Sequence, residues 1–126
     1  MGKMARPQVV YIVEDDDDVR GGFSRLVRSA GLEARPYESA ERFLDEVVDG
    51  ERACILLDIT MPLLTGIQVQ ERLNERRIAL PVITISARDD DDTRKLAREL
   101  GARLFLRKPV DDQALLDAIQ WVTTGA

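Results

Sequence analysis

The sequence predicts an α/β fold of (βα)5 type, a doubly wound five-stranded parallel sheet with helices on both faces. Two observations predict it. Short apolar runs alternate along the chain with segments of helical period. Three of these runs are almost continuously apolar, which is typical of parallel strands covered on both faces. Strands that alternate with helices are joined by right-handed crossovers and so belong to one parallel sheet.

The expected strands differ in how clearly the sequence marks them. The first, third and fourth are strongly apolar, whereas the second is weak because it contains charged residues and a proline. In chain order the expected strands are VVYIV at 9–13, LEARPY at 32–37, ACILL at 53–57, PVITI at 81–85 and ARLFL at 102–106.

The helices are recognised by apolar residues that recur every three or four positions. Gly31 suits the end of the first helix, and Ser39 is a favourable N-cap for the second. The expected inward faces are Val19, Phe23, Leu26, Val27 and Ala30; Phe43, Leu44, Val47 and Val48; Ile67, Val69, Gln70 and Leu73; Leu96, Ala97 and Leu100; and Leu115, Leu116, Ile119 and Val122.

Size and composition are those of one globular domain. The chain has 126 residues, of which 44% are apolar and 33% charged. We expect the domain to cover residues 8–123, with an N-terminal extension or cloning remnant at 1–7 and a short tail at 124–126. No apolar run approaches the ~20 residues of a membrane helix, and the start MGKMARP lacks the apolar region of a signal peptide.

The net charge and the content of cysteine and histidine exclude or disfavour several classes of function. The net charge of −5 disfavours direct nucleic-acid binding and suits a cation or a basic partner. The single cysteine, Cys54, rules out an internal disulfide, and a reducing cytoplasm is the expected compartment. The absence of histidine excludes histidine-based catalysis and histidine metal ligands from this chain.

Polar side chains stand at the ends of four expected strands. Glu14 and Asp15 follow the first strand, Asp58 the third, Ser86 the fourth and Lys108 the fifth. In doubly wound sheets ligands bind outside the carboxyl ends of the strands. If these strands are neighbours, three carboxylates, a hydroxyl and an ammonium converge on one rim. Each residue alone could be a cap, a turn residue or a solvated charge, but their joint placement favours a site.

The chemistry of such a rim is that of phosphoryl transfer. Three close carboxylates need compensating charge, which a hard cation such as Mg²⁺ supplies through oxygen ligands. Lys108 adds a second positive centre, and Asp58 could accept the group as an aspartyl phosphate. The remaining acids, Asp16–Asp18 and Asp89–Asp92, are better explained as residues that favour the starts of the first and fourth helices.

The motifs IVEDD, LLDITMPLLTG, ITISA and FLRKP occur in the order and spacing of the response regulator receiver domain, which the chain resembles from Gln8 to Val122. The resemblance implies a flavodoxin-like sheet of strand order 2-1-3-4-5, Mg²⁺ as cofactor, and a sensor histidine kinase or histidine phosphotransfer protein as phosphodonor. The chain is loosely similar to receivers of transcription factors with a C-terminal helix-turn-helix domain. A DNA-binding domain beyond this chain is therefore left open, as is a homodimer on phosphorylation.

The resemblance also implies roles for individual residues. Asp58 resembles the phosphoacceptor, and Ser86 and Lys108 its catalytic partners. The other implied roles are metal binding by Glu14, Asp15, Asp58 and the Thr60 carbonyl; switching by Ser86 and Phe105; control of phosphoryl lifetime by Thr60 and Arg88; and support by Ala87 and by Pro109 after a cis peptide bond. Glu14 stands where the family more often has Asp, so direct and water-mediated metal binding both remain open.

The expected function is a signalling switch with weak self-phosphorylation and self-dephosphorylation, in which the face of the fourth helix, fifth strand and fifth helix controls output. The alternative is a pseudo-receiver, a phosphorylation-independent interaction module, which would lack the acceptor, the acid pair or the lysine. A phosphatase of the haloacid dehalogenase type is disfavoured, because Thr60 stands where that family needs a second Asp.

Overall fold

Five strands form one parallel sheet, and a helix follows each of them along the chain. The computed structural model describes residues 8–50, 52–60, 65–87 and 91–124. The strands are β1 (Val9–Val13), β2 (Glu33–Tyr37), β3 (Ala53–Asp58), β4 (Val82–Ser86) and β5 (Ala102–Arg107). The helices are α1 (Asp17–Ser29), α2 (Ala40–Glu46), α3 (Gly66–Glu75), α4 (Asp91–Glu99) and α5 (Asp112–Thr124). No helix in these ranges is long and apolar enough to span a membrane.

The sheet has the order β2-β1-β3-β4-β5, which confirms the predicted fold and strand order. β1 pairs with β2 on one side and with β3 on the other, so the order reverses at β1. The crevice at the carboxyl ends of β1 and β3 is therefore the point where a ligand is expected in a doubly wound sheet. Val13 ends β1 beside Leu57 of β3, which places Glu14 next to Asp58.

The core lies on both faces of the sheet. Alternate residues of β1 enter different clusters: Val9, Tyr11 and Val13 pack on the side of α2 and α3, and Val10 and Ile12 on the side of α1 and α5. This alternation is the period-two geometry of a strand. Every residue of β1, β3 and β4 is buried, so the strands that carry the acidic residues lie in the enclosed centre of the sheet.

The predicted caps of α1 and α2 are confirmed. Ser39 caps α2 by accepting the Arg42 N–H, and Asp16 caps α1 by accepting the Asp18 and Val19 N–H groups. Asp91 and Asp92 open α4 as predicted, and Asp89 and Asp90 lie outside the described residues.

Three predicted inward residues are exposed: Ala30, Val48 and Leu96. Ala30 follows the last residue of α1. Val48 is 54% exposed, because α2 ends at Glu46 and the extended chain that follows no longer has helical period. Leu96 is 43% exposed, and Ala97 is the buried residue of α4.

Side chains of α3 cap the end of α4. Gln70 Nε2 donates to the Ala97 carbonyl at 3.0 Å, and Asn74 Nδ2 donates to the Leu100 carbonyl at 3.0 Å. The last carbonyls of a helix have no partner within it, so these two amides satisfy acceptors that would otherwise need water. α3 thereby fixes the C-terminal end of α4, and the two helices follow the neighbouring strands β3 and β4.

Candidate functional site

The strand ends bring the predicted polar residues together. Carboxylate oxygens of Glu14, Asp15 and Asp58 lie within 4.8 Å of one another. Glu14 and Asp58 are buried, with 1% and 3% of their surfaces exposed, whereas Asp15 is exposed. β3 and β4 each run one residue further than predicted, so that Asp58 and Ser86 are the last residues of their strands.

The Asp58 carboxylate is held by donors on both oxygens. Oδ1 accepts the Thr60 N–H at 2.9 Å and the Thr60 hydroxyl at 2.8 Å, and Oδ2 accepts from Lys108 Nζ at 3.2 Å. Burial by itself raises the pKa of Asp58, but the Thr60 N–H and hydroxyl, the neighbouring Glu14 carboxyl and the Lys108 ammonium together hold that pKa below its usual value. Asp58 is therefore ionised at neutral pH, as a nucleophile requires.

Glu14 has the opposite electrostatic character. Burial raises the pKa of Glu14 to about 7, an effect that Lys108 partly offsets and Asp58 reinforces. Glu14 Oε2 accepts the Asp16 N–H at 3.1 Å, which turns the carboxylate back toward the loop that follows β1. The two adjacent carboxylates thus differ in charge: Asp58 is ionised at neutral pH, whereas Glu14 gains and loses its proton around pH 7.

Lys108 lies between these carboxylates. Its ammonium is 2.8 Å from Glu14 Oε1 and 3.2 Å from Asp58 Oδ2. Burial lowers the pKa of Lys108, but contacts with Glu14 and Asp58 outweigh burial and leave the pKa raised. The Lys108 N–H donates to the Ser86 carbonyl at 2.8 Å, which ties the ends of β4 and β5 together. The Lys108–Pro109 peptide bond is cis, as expected.

The donor set suits a hard divalent cation. Its three clustered carboxylates are the ligand type that Mg²⁺ prefers. The Lys108–Glu14 contact is an ion pair without hydrogen-bond alignment, so Glu14 Oε1 is buried with no well-aligned hydrogen-bond donor among the described residues. A buried acceptor of this kind, facing two further carboxylates, fits a cation ligand.

The remaining predicted residues lie around this centre at different depths. Ser86 is fully buried, one residue beyond Ile85, the register partner of Asp58. Phe105 is half-buried on β5, with the Arg94 guanidinium 5.1 Å from its ring centroid. Ala87 and Pro109 line a surface groove beside the site. Arg88 lies outside the described residues.

Two residues that the sequence interpretation assigned no role shape the backbone of the site. Arg20 donates to the carbonyls of Glu14 and Asp15. Gly66 lies so close to β3 that a Cβ there would be 2.4 Å from Ile59 Cα and 2.8 Å from the Asp58 carbonyl oxygen. Gly66 ends the motif LLDITMPLLTG, so its place was visible, but its contact was not. Nothing in the sequence marks the Arg20 contacts.

A groove of about 810 Å³ opens next to the site, between α1 and the segment after β5. Its apolar lining comes from Val19, Phe23 and Leu26 of α1 and from Pro109 and Val110. Lys108 also lines the groove, so that it leads toward the acidic centre.

Comparison with known proteins identifies the family. The profile of the response regulator receiver domain matches residues 10–120. The chain is 38% identical over 117 residues to the transcriptional regulatory protein TdiR of Thauera aromatica, covering 93% of this chain and 52% of that protein. It is 37% identical over 111 residues to the transcriptional regulatory protein FixJ of Azorhizobium caulinodans, covering 88% of this chain and 53% of that protein.

Solved structures agree with this assignment. The response regulator StyR superposes with a TM-score of 0.88 at 37% identity, over 94% of this chain and 60% of that one. A CheY-like receiver domain from Methanospirillum hungatei, at 21% identity, has a TM-score of 0.87 over 95% of this chain and 96% of its own, which supports the fold alone.

The fold and the acidic strand ends define a signalling domain of the receiver class. The chain belongs to the response regulator receiver domain family and is the receiver domain of a two-component response regulator. It spans about half the length of the curated relatives that it matches, at 52% and 53% for the two transcriptional regulators above.

Proposed function

We propose that this domain is a phosphorylation switch in which Asp58 accepts a phosphoryl group from a phosphohistidine of a sensor histidine kinase or a histidine phosphotransfer protein. One observation carries the proposal: a buried, ionised Asp58 lies beside two more carboxylates and the Lys108 ammonium. Because the chain has no histidine, the phosphohistidine belongs to the partner.

The transfer exchanges one bond to phosphorus for another. A carboxylate oxygen of Asp58 attacks, the phosphorus–nitrogen bond to the donor breaks, and the donor imidazole leaves and takes up a proton from solvent. Lys108 is placed to stabilise charge on the transferring group, since its Nζ already lies 3.2 Å from Asp58 Oδ2. Thr60 orients Asp58 through Oδ1, which leaves the Oδ2 side for the reaction.

Mg²⁺ is the cofactor of the proposed reaction. The carboxylates of Glu14, Asp15 and Asp58 and the Thr60 carbonyl would hold it, and its charge would stabilise the oxygens of the transferring group. Glu14 belongs to the cluster whose carboxylate oxygens lie within 4.8 Å of one another, a spacing that fits direct binding and binding through water equally.

The phosphoryl group would act on the face formed by α4, β5 and α5. In the proposal the Ser86 hydroxyl and Lys108 move toward the new charge, and Phe105 follows into the space that Ser86 leaves. The half-buried position of Phe105 supports this role, because such a ring can either pack inward or remain at the surface. Thr60 and Arg88 would set the lifetime of the acyl phosphate. The altered face would bind an output partner or a second copy of the chain.

The groove beside α1 is the proposed docking surface for the phosphodonor. Three apolar side chains of α1 line it, as expected of a surface that receives a partner helix, and Arg25 and Ser29 of the same helix add polar groups. Lys108, whose Nζ is 3.2 Å from Asp58 Oδ2, also lines it, so a helix seated there would bring its phosphohistidine toward Asp58.

Intact-mass analysis after incubation with acetyl phosphate and Mg²⁺ tests the proposal. We expect the wild type and Asp45→Asn, which changes an exposed aspartate on α2, to gain one phosphoryl group, and Asp58→Asn to gain none. A wild type that gains nothing, from acetyl phosphate or from a phosphorylated donor protein, would instead favour a pseudo-receiver.

A further inference from the structure

Arg20 lies in the second turn of α1 and reaches back to the loop after β1. Its Nη1 donates to the Glu14 carbonyl at 2.9 Å and to the Asp15 carbonyl at 3.4 Å. Its Nη2 pairs with Asp17 Oδ1 at 2.5 Å. Only 18% of the Arg20 side chain is exposed, although its charge would favour solvent. The guanidinium thus contacts the backbone of Glu14 and Asp15 rather than their carboxylates.

Other contacts hold the amide side of that backbone: the Glu14 N–H donates to the Tyr37 carbonyl at 3.1 Å and the Asp16 N–H to Glu14 Oε2 at 3.1 Å. The carbonyl side is where Arg20 acts. β1 ends at Val13, so the Glu14 and Asp15 carbonyls lie beyond the end of the strand. Five consecutive acidic side chains, from Glu14 to Asp18, repel one another there. A planar guanidinium can donate to two carbonyls at once and neutralise part of this charge. Arg20 therefore stabilises the loop after β1 in two ways: it binds two of its carbonyls, and it reduces the repulsion between its acidic side chains.

We propose that Arg20 is a positioning residue for the Mg²⁺ site: it holds the Glu14 and Asp15 backbone so that both carboxylates face Asp58. This inference rests on the proposed function, because it concerns the cation that the proposed reaction uses. Arg20 touches no reacting group itself. It acts through the two carbonyls, and Glu14 and Asp15 do the binding.

A simpler explanation is a surface ion pair between Arg20 and Asp17, three residues apart on one helix. A pair whose acidic partner is 83% exposed contributes little to stability, and by this explanation Arg20 would not position the cation ligands. The two explanations predict different changes in Mg²⁺ affinity when the charge of Arg20 is removed. Removing a positive charge near an acidic site should strengthen Mg²⁺ binding by electrostatics alone, whereas loss of positioning should weaken it.

Isothermal titration calorimetry with MgCl₂ on the unphosphorylated protein separates them. We expect Arg20→Met to bind Mg²⁺ about tenfold more weakly, a change of about 1.4 kcal/mol, even though it removes a repelling charge. Arg20→Lys, which keeps the charge but has a shorter reach and lacks the planar guanidinium that fixes the donor directions, should lie between Met and the wild type. Asp17→Asn removes the ion pair but leaves both carbonyl contacts, and should bind Mg²⁺ within about twofold of the wild type.

Thermal melts of the same variants in EDTA provide the second measurement. A merely structural role would lower Tm and leave the Mg²⁺ affinity of the folded protein unchanged. If Arg20→Met gives no cooperative melt, Arg20→Gln replaces it, since its shorter neutral side chain also cannot span both carbonyls. Unchanged or tighter Mg²⁺ binding in the neutral variant would overturn the role of Arg20 but would leave the proposed function standing. No Mg²⁺ binding by the wild type would overturn the proposed Mg²⁺ site as well.

Discussion

The ammonium of Lys108 lies closer to Glu14 than to Asp58, at 2.8 Å from Glu14 Oε1 against 3.2 Å from Asp58 Oδ2. The longer contact goes to the carboxylate that is ionised at neutral pH, and the shorter one to the carboxylate whose pKa is raised to about 7. Lys108 therefore compensates the buried acid pair as a whole. It is the counter-charge that keeps Glu14 and Asp58 close when no divalent cation is bound.

Removal of that counter-charge should destabilise the domain. In EDTA at pH 8, we expect Lys108→Ala to lower the free energy of unfolding by about 2 kcal/mol, because two buried carboxylates lose a shared partner. Urea denaturation followed by circular dichroism measures this. Saturating Mg²⁺ should restore most of the loss. Lys95→Ala, at an exposed position on α4, is the matched control and should change stability little; equal losses in both variants would contradict the prediction.

The raised pKa of Glu14 predicts how stability depends on pH. Folding raises this pKa from 4.5 to about 7, so protonated Glu14 stabilises the folded state fully below about pH 4.5. That stabilisation is lost as pH rises toward about 7. The linked free energy is at most about 3 kcal/mol. The lowered pKa of Asp58 acts in a different window, since its stabilisation is lost only as pH falls below about 4.

Urea denaturation in EDTA between pH 4.5 and 7.5 tests this dependence. Relative to Glu14→Gln, whose side chain does not titrate, the wild type should lose stability steadily across the range. Glu71→Gln, at an exposed position on α3, should follow the wild type. Parallel profiles for the wild type and Glu14→Gln would show that Glu14 titrates alike in the folded and unfolded states.

A side chain at position 66 should disturb both the fold and the site. In Gly66→Ala the new Cβ would lie 2.4 Å from Ile59 Cα and 2.7 Å from Ile59 Cγ2, so the backbone of β3 or α3 must move. We expect a loss of about 3 kcal/mol in the free energy of unfolding. Phosphorylation by acetyl phosphate should also slow, because the Asp58 carbonyl oxygen is within 2.8 Å of the same atom.

Gly21→Ala is the control for this substitution. Its Cβ would meet only the tip of the flexible Arg25 side chain, at 3.4 Å. Because Ala is a better helix former than Gly, the free energy of unfolding of this variant should rise by about 1 kcal/mol. Its phosphorylation rate should equal that of the wild type. A Gly66→Ala protein as stable as Gly21→Ala would contradict the prediction.

The docking surface can be blocked without altering the core. Gly22 lines the groove beside α1, and a Cβ there would find only Arg25 Nη2 at 4.0 Å. We expect Gly22→Lys to reduce the rate of transfer from a phosphorylated histidine phosphotransfer protein about tenfold. Phosphorylation by acetyl phosphate should not change, since a small donor does not need the groove.

Gly21→Lys places the same side chain at the neighbouring position, which is absent from the groove lining. It should transfer at the wild-type rate from both donors. Equal inhibition by the two lysines would show that added charge on α1, rather than occupation of the groove, affects the reaction.

Much of this architecture was predictable, because it depends on pattern and spacing. The apolar runs predicted all five strands, and the polar residues after them predicted which side chains meet at the rim. Boundaries were less certain: Asp58 and Ser86 belong to their strands, and Val48 lies past the end of its helix. Helical period alone could not show where α2 stops, since Val47 and Val48 continue the apolar pattern without continuing the helix.

The physical state of the site could not be predicted from pattern. The elevated pKa of Glu14 depends on complete burial beside Asp58, which no local sequence feature reports. The contacts of Arg20 and Gly66 depend on how a helix start approaches a strand end. Sequence spacing identifies residues that share a rim, whereas distances of 3 Å between side chain and backbone require the folded chain.

The amides of Gln70 and Asn74 have a mechanical consequence for α4. They bind the carbonyls of Ala97, in the last turn of the helix, and of Leu100, the residue directly after it. A tilt of α4 that keeps these two bonds has its smallest displacement near Leu100 and its largest at Asp91, the end that follows β4. The helix has 9 residues and is about 13 Å long, so a tilt of about 10° would carry its free end about 2 Å. α3 therefore supplies the fixed point about which α4 would tilt.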